Sequence, residues 1–383
     1  MDHAGPGRGG RGQCETGTGQ EAPRHGSIAP PRHDPSQRSL PVHALFNRRI
    51  DGDDALLRLA RLRFSQAGLA AETYADTPQQ LERILPFVPP HPQPPALHMS
   101  RGINLLHERD RAVVEEFGTH FAGRVFGLVV HDKADMGTQT GSLVTALREL
   151  DSRLVRQPGA PYVFLEYAAG LEPGWFVEVA EKLQDAERIS CCIDVGHVGI
   201  RQACASFARS HPGLDLRSFR PADPRLPELA GEVQGAVASA LADVLEMTRA
   251  LGRLGKHLHF HLHDGHPLVP GLADHFSFLT RLPIPFSYAG RQSLNMLYGP
   301  TGLAAIVATA VRACGLDRLS FTLEIHQVEG RLPLEDAAGL FAHWRDTTNA
   351  ERMNHWLAVL AQNAMLVDGS ILGSLYSSPA GAR

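Results

Sequence analysis

The sequence predicts a (β/α)8 barrel, on three observations. Eight short apolar stretches of strand character alternate with stretches of helical period between residues 40 and 326. One of them, within Lys256–His266 (KHLHFHLHDGH), has a strict period of two, with His257, His259, His261 and His263 on one face and Leu258, Phe260 and Leu262 on the other. Ionisable residues also recur at the C-terminal ends of these strands, the end at which parallel barrels build their sites.

The elements follow in order. Residues 1–38 are rich in Gly, Pro and Arg and bury too little apolar surface to offset their ordering entropy, so they read as a disordered tail. LPVHALF (40–46) is the first strand, and residues 53–67 carry Leu56, Leu57, Leu59, Leu62 and Phe64 at helical spacing. LAAETYA (69–75) is the second strand, and a helix over 77–88 starts at Thr77 as N-cap. The PPHPQPP run (89–95) is a stiff connector that can be neither helix nor central strand. PALHMS (95–100) is the third strand, 108–124 a helix, and VFGLVVHDKA (125–134) a fourth strand with the continuous apolar run of buried parallel strands. A helix over 142–156, the strand YVFLEYA (162–168), a helix over 174–185 and the strand ISCCIDVGH (189–197) follow. Helical stretches at 199–210 and 225–253 lead to the seventh strand, HLHFHLHD. Residues 267–300 form a long loop whose Phe276, Phe278, Phe286, Tyr288 and Tyr298 can either cover the barrel mouth or anchor the loop. A helix over 301–314 and the eighth strand, SFTLEIH (320–326), close the set. The expected organisation is a TIM barrel over 39–368, with a helical extension at 334–366 and a flexible tail at 369–383. No G-x-G-x-x-G or G-x-x-x-x-G-K-[ST] motif follows a strand, which argues against an open doubly wound sheet.

The bulk properties narrow the classes. With a net charge of −4, a broad nucleic-acid-binding field is not expected. No apolar run in the sequence reaches the ~18–20 residues of a membrane helix. Cys14, Cys191, Cys192, Cys204 and Cys314 form no C-x-x-C pair, so reduced thiols and a cytoplasmic location are expected. Apolar positions near the C-terminus (Leu340, Phe341, Trp344, Met353, Trp356, Leu357, Leu360) suit core packing or a homo-oligomer.

The strand-end residues are His98, His131, Glu166, Asp194 with His197, His261 with His263 and Asp264, and Glu324 with His326. Carboxylates and imidazoles converging at one mouth are the ligand set of one divalent metal such as Mn, Co or Zn. Glu166, Asp194, His261 and Glu324 make the core tetrad, leaving open positions for water or substrate. The bland alternative is a histidine cluster satisfied by backbone carbonyls, but four imidazoles on one strand face would need four sets of partners.

FLEYAAG, CIDVGH, HLHFHLHD and LEIH, in this order, resemble the xylose-isomerase-like barrels, a superfamily that includes ketose 3-epimerases and family-two apurinic endonucleases. The resemblance implies that Glu166, Asp194, His261 and Glu324 hold one metal. It further implies that Glu166 and Glu324 are the acid–base pair of an isomerase or epimerase working through an enediolate. His197, His263, Asp264 and His326 would then contact or orient a small sugar-like substrate. The endonuclease branch implies additional ligands at His98, His131, His197 and Asp274 and two or three zinc ions clamping a phosphoester, although Asp274-His275 replaces that branch's D-x-H. A metal-dependent sugar isomerase or epimerase is therefore the expected function, with a multi-zinc phosphoesterase, or a lyase or dehydratase on the same barrel, as the alternative.

Overall fold

The computed structural model describes residues 42–47, 50–219, 223–268, 275–280, 296–325 and 349–376. The barrel lies within Ser39–Arg383. Its eight strands are β1 (Val42–Leu45), β2 (Ala70–Tyr74), β3 (Ala96–His98), β4 (Gly127–His131), β5 (Tyr162–Glu166), β6 (Ile189–Asp194), β7 (Leu258–Leu262) and β8 (Leu319–Leu323). They pair in parallel, each with its sequence neighbour, and β8 closes on β1. Helices α1 (Asp54–Gln66), α2 (Pro78–Ile84), α3 (Glu108–His120), α4 (Thr140–Leu154) and α5 (Pro173–Lys182) follow the first five strands in turn. Both α6 (Val195–Ser210) and α7 (Leu226–Gly252) lie between β6 and β7, α8 (Gly299–Cys314) precedes β8, and α9 (Asn349–Tyr376) comes last. The expected (β/α)8 barrel is thus the fold.

Local chemistry explains several boundaries. Asp53 and Thr77 accept from Leu56 N and Gln80 N at 3.0 and 3.2 Å, capping α1 and α2. Asp194, the last residue of β6, also caps α6 through His197 N at 2.8 Å. That is why α6 starts at Val195, four residues before the expected 199: the strand passes into the helix without a loop.

The two faces of β7 separate as its period requires. Leu258, Phe260 and Leu262 join the apolar layer between strands and helices. The histidines line the interior, where packed barrels usually carry branched apolar residues. At the lower end, His43, Phe126, Tyr162, Phe164, His257 and His259 form one contiguous set of aromatic contacts.

The C-terminus departs from expectation. Residues 369–376, expected as flexible tail, are the last two turns of α9. Ser370 and Ser374 look like tail residues, yet their hydroxyls donate to the carbonyls of Leu366 and Ser370, and Ile371 is buried. Met353, Leu357, Leu360, Ala364, Val367 and Ile371 form a buried stripe at alternating spacings of four and three, the pattern of a helix laid against a core. Trp356 Nε1 donates to Ile325 O at 2.8 Å, tying α9 to the end of β8. Met353–Tyr376 is long and apolar enough by length and composition to cross a membrane, unlike anything expected from the sequence, but its apolar stripe is spent on the barrel. Leu340, Phe341, Trp344, Phe286 and Tyr288 lie outside the described residues. Phe276, Phe278 and Tyr298 are buried anchors rather than a cover, and Tyr298 Oη donates to Val195 O at 2.6 Å.

Candidate metal centre

The strand ends deliver their side chains to one mouth. His131 and Glu166 are lateral partners on β4 and β5, so both point inward at one level. Glu166 Oε2 lies 3.1 Å from His131 Nε2 and 3.3 Å from His98 Nε2, and those two nitrogens are 3.3 Å apart. The other oxygen, Glu166 Oε1, lies 3.3 Å from His261 Nδ1, which is itself 3.1 Å from Glu324 Oε2. His98, Glu166, His261 and Glu324 can offer ligand atoms all within 4.8 Å of one another.

Asp194 falls in a second group. Its Oδ1 is 2.8 Å from His263 Nε2 and its Oδ2 is 3.2 Å from His197 Nδ1. His275 stacks on His263 with centroids 4.1 Å apart, and these four residues offer ligand atoms within 4.8 Å of one another. The expected tetrad is therefore divided: Glu166, His261 and Glu324 stay together and gain His98, while Asp194 joins His197, His263 and His275. The groups adjoin, with His275 Nε2 3.6 Å from Glu324 Oε1. Asp274 and His326 lie outside the described residues.

Two expectations change. His263, expected to contact substrate, is fully buried and held by Asp194. Asp264, expected to orient substrate or ligands, instead accepts from Gly265 N, Tyr298 N and Gly299 N at 2.8, 3.2 and 2.8 Å, stapling the start of α8 to the end of β7. Burial pushes its carboxyl up to about 6, against the pull of those amides.

The electrostatics keep the carboxyls ionised. Burial raises the carboxyls of Glu166, Asp194 and Glu324, but neighbouring histidines outweigh it. His131, His261 and His98 hold Glu166 well below its usual range, His197 and His263 hold Asp194 down, and His275 and His261 do the same for Glu324. Burial lowers His98 and His261, but Glu166 brings His98 out raised, and Cys192 with Glu72, Glu166 and Glu324 does so for His261. These are ionised acids facing bases that compete for protons, the condition in which a metal displaces protons.

The donor spacing also fits an ion. Ligands 2.0–2.1 Å from a tetrahedral zinc stand about 3.3 Å apart, matching the 3.1–3.3 Å contacts around Glu166. Neither Glu166 oxygen receives an aligned hydrogen bond, and neither does His261 Nδ1, despite full burial. The carboxylate is thus held by its ion-pair contacts to His98, His131 and His261, contacts that ligation to an ion would replace.

Sequence reasoning missed Glu72. It lies in the interior two residues below Tyr74 on β2, 3.1 Å from both His261 and His259. Its signal was a carboxylate in the apolar strand LAAETYA. Tyr74, also missed, donates its hydroxyl to Glu324 Oε1 at 3.2 Å and stacks on His98 at 4.6 Å.

No family model matches this chain, and no curated protein matches it. Among solved structures, it is similar to the carboxyl transferase domain of Rhizobium etli pyruvate carboxylase. With 3-bromopyruvate the TM-score is 0.35 at 14 % identity, covering 85 % of this chain and 48 % of that one. For the Y628A form with pyruvate the values are 0.37 and 13 %, covering 87 % and 49 %. The chain spans about half the length of these matched chains.

Proposed function

We propose that this chain is a metal-dependent hydrolase of small phosphoesters that holds at least two divalent transition ions, zinc being the best match to the donors. The observation behind this reading is the placement of Glu166, whose two oxygens face different groups: Oε2 faces His98 and His131, and Oε1 faces His261. With both oxygens engaged, Glu166 keeps none to move a proton at a substrate carbon, as an acid–base pair of glutamates requires. The mouth also gathers His98, His131, Glu166, Asp194, His197, His261, His263, His275 and Glu324, more donors than the roughly four to six that one transition ion accepts.

His98, His131 and Glu166 would hold one ion, Glu166, His261 and Glu324 a second, and the Asp194 group a third. Bound there, the ions would supply Lewis-acid activation of water and of a phosphoryl oxygen. The protein residues bind and orient. Tyr74 holds Glu324 through its hydroxyl and His98 through its ring. Lys133 Nζ donates to Arg101 O, joining the loops that follow β3 and β4. Arg101 is exposed and offers a guanidinium for a substrate phosphate. The formal charge of −4 fits a small phosphoester better than a nucleic acid.

A second reading, the sugar-type isomerase or epimerase with one Mn, Co or Zn ion, is favoured by one observation. Glu166 and Glu324 approach the same His261 nitrogen at 3.3 and 3.1 Å, as two bases flanking one ion would.

Elemental mass spectrometry on protein purified without added metal separates the readings. Two or three ions per chain, a lower content in His98→Ala/His131→Ala, and hydrolysis of an aryl phosphoester support the hydrolase. One ion per chain, unchanged by that double variant, would overturn it. Solvent deuterium entering a keto-sugar, lost in both Glu166→Gln and Glu324→Gln, would then establish the isomerase.

A further inference from the structure

Glu72 is a buried carboxylate away from the strand ends, and the hydrolase reading leaves it without a role. Its Oε2 accepts from Thr322 Oγ1 at 2.6 Å and lies 3.1 Å from His259 Nε2, while His261 Nε2 makes its hydrogen bond to the same Oε2 at 3.3 Å and lies 3.1 Å from Oε1. The contacts continue downward: His259 Nδ1 is 2.7 Å from Ser320 Oγ, which is 3.0 Å from His257 Nε2. Above, His261 turns its other nitrogen, Nδ1, to Glu166 and Glu324. His261 is thus clamped between an interior carboxylate and the metal-binding carboxylates.

We propose that Glu72 is a positioning residue that holds the Nε2–H of His261, so that Nδ1 presents its lone pair to an ion shared with Glu166 and Glu324. This rests on the metal-binding reading above and adds the residue that sets up one of its ligands. A neutral imidazole carries one N–H and one lone pair, and an ionised carboxylate only accepts. Both faces of His261 meet carboxylates, so an ion takes the place of a proton at one nitrogen only, and Glu72 makes that nitrogen Nδ1. A carboxylate on the far nitrogen also makes the ligating one more basic. The clamp is rigid because Thr322 and His259 fix Glu72 and Ser320 fixes His259, all three fully buried. A barrel packed for stability alone would place apolar side chains in this layer, because a buried ion costs several kcal/mol unless it is paired.

The test uses the full chain. Zinc affinity is measured by chelator competition for wild type, Glu72→Gln and Thr322→Val. Histidine-selective 15N NMR of the same proteins reads which His261 nitrogen carries the proton, with His261→Gln for assignment. Glu72→Gln should weaken the site holding His261 by about 10–100-fold. Thr322→Val, which removes only the hydroxyl that steadies Glu72, should weaken it less. In metal-free wild type the Nε2–H of His261 should be shifted downfield and slow to exchange, and Glu72→Gln should abolish this. Should Glu72→Gln fail to fold, Thr322→Val and the wild-type spectrum still decide. A wild type that binds zinc with equal affinity to a folded Glu72→Gln, or to Thr322→Val where only that variant folds, overturns the positioning role alone. An Nε2 without a proton facing Glu72 does the same. A wild type that takes up no zinc overturns both this role and the metal-binding reading.

Discussion

Gly196→Ala probes the Asp194 group from outside it. Gly196 lies in the first turn of α6, and a methyl group there would sit 1.9 Å from His263 Cε1, 2.4 Å from Nδ1 and 2.5 Å from Nε2. Ordinary contact begins near 3.4 Å, so the ring must retreat by about 1.5 Å. It has little room, since it is fully buried and stacked 4.1 Å from His275. A shift of that size stretches its 2.8 Å bond to Asp194 beyond hydrogen-bond range. Overpacking costs about 1–3 kcal/mol and loss of a charged hydrogen bond about 1.5–3 kcal/mol, offset by about 1 kcal/mol of helix propensity. The expected net loss is about 1.5–5 kcal/mol, with one ion per chain lost from the Asp194 group and the Glu166 group intact. Gly231→Ala on α7 is the control, because a methyl there meets nothing within 4 Å. Urea unfolding and elemental analysis read both quantities. If Gly196→Ala kept its full metal content and wild-type stability, the Asp194 group would not be the packed ligand set described above.

Two further predictions concern stability. Burial lowers His266 from 6.5 to about 3, and it lowers His43 to about 3 with help from His259. The folded chain therefore refuses protons that the unfolded chain binds below pH 6.5, so stability falls as pH drops from 6.5 toward 3. At pH 5 the loss is about 2 kcal/mol for each imidazole. In His266→Asn, which keeps an acceptor for Leu268 N, the urea midpoint should shift less between pH 7 and pH 5; a shift equal to wild type would show that His266 does not titrate this way. Asp132 accepts from Ala168 N, Gly170 N and Leu171 N at 2.8–2.9 Å, holding the loop after Glu166 in which Ala169 has φ +62°. Asp132→Ala should cost about 2–5 kcal/mol by stranding those amides, whereas Ala169→Gly should gain about 1 kcal/mol, and thermal unfolding that ranked the two the other way would refute this account of the loop.

The sequence by itself determined the barrel and most of the strand-end residues at its mouth, though not Tyr74 or His275. Alternating strand and helix periods are local properties, and so is the two-faced pattern of β7: Leu258, Phe260 and Leu262 could only pack outward once the histidines faced in. His98, His131, Glu166, Asp194, His261 and Glu324 were legible as strand-end residues facing one mouth because in a parallel barrel every strand ends at the same rim. Period assigns a side chain to a face, but it does not say which residues of different strands share a level. That depends on the stagger between strands, set when β8 closes on β1, and on side-chain rotamers. Tertiary structure therefore decided that His131 stands level with Glu166, that Asp194 turns toward His263 and His197, and that Asp264 is spent on the start of α8. It also decided that Glu72, an ordinary glutamate in its strand, lies against His261, 189 residues away. The last turns of α9 escaped for the same reason: Gly369, Ser370, Gly373 and Ser374 have weak helical preference, and burial of Val367 and Ile371 against the rest of the fold holds them helical.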